Sequence, residues 1–91
     1  MTALDDPRAP PILDVFAREA RISVARLTAH ARTDELGLTE LELAFALFEM
    51  EDRFDIDLPQ QGADGAALTV DAVVQQVLTR LDQRAASMAL G

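Results

Sequence analysis

Ninety-one residues, 49% of them hydrophobic and 26% charged, with a net charge of −8, are enough for one folded domain with a single modest core. The chain has no cysteine, which excludes disulfides, thiolate metal sites and thiol catalysis, and its only histidine, His30, has no second imidazole to work with. The acidic balance repels nucleic acid and anionic lipid, and no stretch reaches the length of a membrane span. Met1–Asp6 lacks the basic-then-apolar pattern of a secretory signal, so the expected compartment is the cytoplasm.

Residues 1–9 carry Pro7 and no periodicity and are expected to form a flexible leader. The domain is expected over residues 10–82. Pro10-Pro11 suits a helix start, where the missing amide costs no intrahelical bond. Ile12, Val15, Phe16 and Ala20 then recur at i, i+3, i+4 and i+8, the spacing of an amphipathic helix, with Arg18 and Arg21 near its end where cations suit the dipole. From Ile22 to Gly37 the periodicity stops. The spacing predicts a long connection pinned to the core by Ile22, Val24 and Leu27, with Ser23 capping a single turn and His30 on the loop surface.

A central helix is predicted from Thr39 to Phe54. Thr39 and Glu42 form the capping-box pattern, and Leu38 with Leu43 has the spacing of a hydrophobic staple. Gly37 just before the helix allows a backbone geometry that other residues resist. Two apolar rows run along this helix. Leu43, Leu47, Met50 and Phe54 form a core-facing seam, while Leu41, Phe45 and Phe48 form a second, with Asp52 one turn further on. One row suffices for a surface helix, so the second implies deep burial or a covering partner.

Pro59 marks the end of this region. Residues 60–67 hold two glycines and no regular stripe, and a single short helical turn is the most they predict. The last helix is expected to start at Thr69 as cap, with Asp71 in its first turn and Val70, Val73 or Val74, Val77 and Leu81 facing the core. Residues 83–91 are expected to form a flexible tail. Three helices and no alternating strand pattern predict an all-α bundle.

Between residues 34 and 57 nine acids stand against Arg53 alone, a surplus equal to the net charge of the whole chain. Such a patch reads either as a solubilising face or as an attractor for a basic protein surface. Asp55 and Asp57 lack the glycine and distal glutamate of a calcium loop, and no metal site is expected. With no phosphate-cradling loop and no nucleophile–base set, enzyme activity is not expected.

Asp34-Glu35-Leu36-Gly37-Leu38, then Leu41 and the acidic helix, then Phe54-Asp55-Ile56-Asp57-Leu58-Pro59, resemble the acyl carrier proteins over roughly residues 12–81. The resemblance implies a four-helix bundle with a long first loop and a short third helix. It also implies a 4′-phosphopantetheine arm on the serine of an Asp-Ser-Leu triplet, and an acidic helix read by basic partner enzymes of synthase, ligase or transferase type. Here that triplet is Thr39-Glu40-Leu41.

A carboxylate at Glu40 cannot take the place of the serine hydroxyl, so no cofactor is expected. The expected function is that of an acyl-carrier-like domain without a loaded arm, binding a partner in fatty-acid or polyketide-type biosynthesis. The partner-binding residues expected are Glu40, Leu41, Phe45, Phe48, Glu51 and Asp52. Two readings of Glu40 stand side by side: an acid favoured by the helix dipole, or a charge that imitates the modified serine. The alternative function is a working carrier, with phosphopantetheine on Thr39 or on a serine that Glu40 replaces in this version of the chain. A homodimer burying Leu41, Phe45 and Phe48 is a further alternative. The usually acidic position now held by Phe45, and the Gln- and Gly-rich third-helix region, depart from the family pattern.

Overall fold

The computed structural model describes residues 2–58 and 69–90. Helix α1 spans Ala9–Ala20, with Pro10 and Pro11 in its first turn and Ile12, Phe16, Ala17 and Ala20 buried on one face. It stops where Arg21 turns into the left-handed region at φ 60°, so that the Ile22 amide donates back to the Ala17 carbonyl at 3.0 Å.

Helix α2 spans Glu40–Phe54 and ends in the same manner. Asp55 takes φ 54°, the Ile56 amide donates to the Glu51 carbonyl at 3.1 Å, and Ile56 is buried beyond the turn. Helix α3 spans Val70–Leu90 and buries Val70, Val73, Val74, Val77 and Leu78. The core is the common interior of the three helices, closed by Leu27, Leu36, Ile56 and Leu58 from the connections.

The long connection from Ile22 to Thr39 is tied down by its backbone. Ser23 caps a 3-10 turn at Val24–Arg26, as the sequence predicts. Leu27 and Leu36 are buried and Ile22 is half-buried, whereas Val24, expected to pin the loop, is half exposed. The loop carbonyls of Ala31 and Ala29 accept the amides of Val70 and Asp71 at 2.9 and 3.0 Å, and so satisfy donors that a helix start leaves free. Thr69 supplies the cap itself, its hydroxyl accepting the Ala72 amide at 3.1 Å. Gly37 sits at φ +80°, a conformation that disfavours side chains, and delivers the chain to the start of α2.

Both ends of the chain carry more structure than the periodicity predicts. Residues 2–8, expected within a flexible leader, contain a 3-10 turn at Ala3–Asp5 with its own Thr2–Asp5 capping box. The Ala3 amide donates to the Asp71 carboxylate at 2.6 Å, and Ala3 and Leu4 pack against the core. Arg8 then joins Asp6, at 3.1 Å, to Asp82, at 2.7 Å. At the other end α3 continues to Leu90 through residues 83–90, where the sequence predicts a flexible tail, and side chains 82–87 along it are exposed.

The class is all-α: the described residues hold three α-helices, two 3-10 turns and no strand, with one isolated bridge between Arg32 and Thr69. The short third helix of the four-helix expectation falls on residues 59–68, outside those described. Among the described residues, no helix is long and apolar enough to cross a membrane.

Candidate partner-binding face

The start of α2 is fixed by a complete capping box. The Thr39 hydroxyl accepts the Glu42 amide at 3.1 Å, and the Glu42 carboxylate accepts the Thr39 amide at 3.0 Å. That backbone bond, then the Thr39 hydroxyl, holds the Glu42 carboxyl below the usual carboxylate range, with a smaller contribution from the Arg21 charge. Leu38 and Leu43, placed as a staple, are both half-buried against the core.

With the start fixed, 3.6 residues per turn decides which way each side chain of α2 points. Ala46 and Met50 are buried, and Leu43, Leu47 and Phe54 are partly buried beside them. Leu41, Phe45, Phe48 and Asp52 lie about 180° away on the same helix. The structure leaves Leu41 63%, Phe45 58% and Phe48 51% exposed, and Asp52 is exposed as well. The second seam is therefore a convex row on the outer crest of α2, covered by nothing among the described residues.

The acids around this row divide into two groups. Asp34 pairs with Arg32 at 2.8 Å, the Glu35 carboxylate accepts the Arg32 amide at 3.1 Å, and Asp55 pairs with Arg84 at 2.9 Å. Glu42 is occupied in the cap. Glu51, expected to meet a partner, is partly buried, and its carboxylate accepts the Leu58 amide at 2.7 Å, bracing the turn after α2. Glu40, Glu49, Asp52 and Asp57 make no hydrogen bond or ion pair with any described residue. Arg53, the lone cation of α2, lies 3.9 Å from Glu19 of α1.

The predicted site residues thus fall into one exposed set, Glu40, Leu41, Phe45, Phe48 and Asp52, and one inward brace, Glu51. Glu49, absent from the predicted set, follows Phe48 on α2 and is exposed as well. Nothing in the sequence pointed to the bond from Glu51 to Leu58, because it depends on the left-handed turn at Asp55.

Glu40, the residue that the resemblance to carrier proteins sets at the arm-bearing serine, is exposed in the first turn of α2 and has no hydroxyl. The neighbouring hydroxyl, on Thr39, is engaged in the cap. These residues do not fit a phosphodiester-linked arm. A cleft of about 370 Å³ beside the end of α2 is lined by Asp55, Ile56, Asp57, Arg80, Gln83 and Arg84, and its largely charged lining does not suit an acyl chain. His30 is exposed on the loop, and no group of three or more metal-ligating side chains is gathered among the described residues. Comparison with protein-family models, with curated proteins and with solved structures finds no match to this chain.

Proposed function

We propose that this chain is an acyl-carrier-like domain that carries no phosphopantetheine arm and serves by binding a partner protein through the outer crest of α2, in the cytoplasm and in a pathway of fatty-acid or polyketide type. One observation carries the reading: the loading position of the family it resembles is Glu40, an exposed carboxylate at the start of a helix whose outward row is apolar. The resemblance on both sides of α2, Glu35-Leu36-Gly37 before it and Phe54-Asp55-Ile56-Asp57-Leu58-Pro59 after it, supports the carrier ancestry. The engaged Thr39 hydroxyl weighs against the alternative of a working carrier loaded one residue early.

The test is incubation with a phosphopantetheinyl transferase and coenzyme A, read by intact mass on the wild-type chain and on Glu40→Ser. The expected result is an unchanged wild type and a Glu40→Ser variant that gains the mass of the arm. A gain on the wild type overturns the unloaded reading. Failure of Glu40→Ser to load removes the support for carrier ancestry.

A further inference from the structure

The turn that ends α2 builds a second site, away from the crest. After Asp55 takes its left-handed conformation, burial alternates along the chain: Ile56 and Leu58 are buried, while Asp55 and Asp57 are exposed. This turn lies beside the second half of α3 and is tied to it by the pair between Asp55 and Arg84 at 2.9 Å. Arg80, Gln83 and Arg84 stand three and four residues apart and so share one face of that helix. Between the turn and this face lies the cleft of about 370 Å³, with Ile56 as the apolar part of its lining. Its volume falls at the lower end of small-molecule sites, which run to about 300–1,000 Å³.

Two charges in this cleft are spare. Among the described residues, Asp57 makes no hydrogen bond or ion pair, and the half-buried Arg80 donates only to the Gln83 side-chain oxygen, at 3.1 Å. The chain has sixteen acids against eight arginines, so a guanidinium without a carboxylate is the exception. Arg21 and Arg26 share that condition, but both are exposed to water, whereas Arg80 lines a cleft. The other charges of the lining, Asp55 and Arg84, already satisfy each other. We propose that this cleft binds a free α-amino acid, its carboxylate on the Arg80 guanidinium and its ammonium on the Asp57 carboxylate. An anion alone meets the two aspartates, and a cation alone meets the two arginines. A ligand that carries both signs completes both walls. The planar fork of Arg80 suits a carboxylate in particular. The inference is independent of the proposed function, since it uses neither the crest of α2 nor the carrier resemblance.

The test titrates the full-length, isotope-labelled chain at neutral pH and low ionic strength with three small molecules: L-alanine, propionate, which lacks its amine, and ethylamine, which lacks its carboxylate. L-alanine is expected to give saturable amide shifts centred on 55–57 and 80–84. Each control loses one charge-assisted contact and should bind about tenfold or more weakly. Arg80→Gln and Asp57→Asn should each weaken L-alanine by a similar factor, while Asp52→Asn, on the crest, should leave it unchanged. The same spectra show that each variant is folded. Propionate that binds as well as L-alanine overturns the proposal in favour of a plain anion site, and ethylamine that binds as well overturns it in favour of a cation site. The absence of saturable shifts overturns it outright, as does binding that Arg80→Gln and Asp57→Asn leave intact. In the ligand-free chain, a double-mutant cycle of these two substitutions by urea unfolding should show no coupling. Coupling there means that Arg80 and Asp57 close on each other, and it overturns the proposal as well.

Discussion

Replacing Thr39 with alanine tests the cap that organises α2. The substitution removes one acceptor, the hydroxyl 3.1 Å from the Glu42 amide, and leaves the reciprocal bond from the Thr39 amide to the Glu42 carboxylate. Both residues are exposed, so water reaches the freed amide and the penalty of a buried unsatisfied donor does not apply. The cost is then that of an ordinary helix cap, about 1 kcal/mol. For a domain of this size that corresponds to a fall in Tm of about 4–8 °C. Thr39→Ser keeps the oxygen and should stay within a few tenths of a kcal/mol of the wild type. Urea unfolding followed by far-ultraviolet circular dichroism measures all three proteins. A Thr39→Ala variant as stable as the wild type, or a Thr39→Ser variant that falls as far as Thr39→Ala, would refute the argument that this hydroxyl is a cap. A double-mutant cycle with Glu42→Ala should show coupling, since both bonds close the same turn.

The remaining predictions follow from burial and from the partition of the acids. Met50 is fully buried in the core, and Met50→Ala should cost about 2–5 kcal/mol by denaturant unfolding. Glu51→Ala strands the part-buried Leu58 amide and should cost about 1–3 kcal/mol, whereas Asp52→Ala, on the exposed crest, should change stability by about 0.5 kcal/mol or less. The two carboxyls held below their ordinary range, Glu42 by the Thr39 amide and Asp6 by the hydrogen bonds from Arg8, are more readily ionised folded than unfolded. Their contribution is therefore present above the unfolded carboxylate range and is lost as pH falls through the lower folded values. Urea midpoints measured from neutral pH downward should fall less steeply in Glu42→Gln than in the wild type.

What the sequence made legible was local. The start of α2 was readable because a capping box needs only residues three apart, and the structure closes both of its bonds. The core face of α3 was readable because Val70, Val73, Val74 and Val77 repeat at helical spacing, and all four are buried. The outward row of α2 was readable as an apolar excess over what one core face requires. The rest was not legible in apolar periodicity. The Thr2–Asp5 turn was in the sequence, but its anchor is Asp71, 68 residues away. The extension of α3 past Leu81 shows no apolar stripe, and its alanines favour helix by propensity alone. Val24 and Leu27 looked equivalent as loop anchors until the 3-10 turn placed one outside and the other inside.

The acidic surplus gains meaning only when it is divided by use. A count of nine acids in 34–57 describes a steering surface larger than the molecule presents, because five of them hold its own caps, turns and ion pairs. An acid already bonded to a backbone amide is costly to divert to a partner, since diverting it reopens a turn. The unengaged acids are therefore the ones that can meet an incoming cation, and three of the four stand on α2 around its apolar row. At physiological ionic strength charges beyond about 8 Å are screened, so a short rim counts for more than the net charge of the chain. Glu40 is one of these three. On the proposed reading, the residue that denies an attachment point to a phosphopantetheine arm is also the first cation acceptor on the crest, so loss of loading and gain of recognition meet in a single side chain.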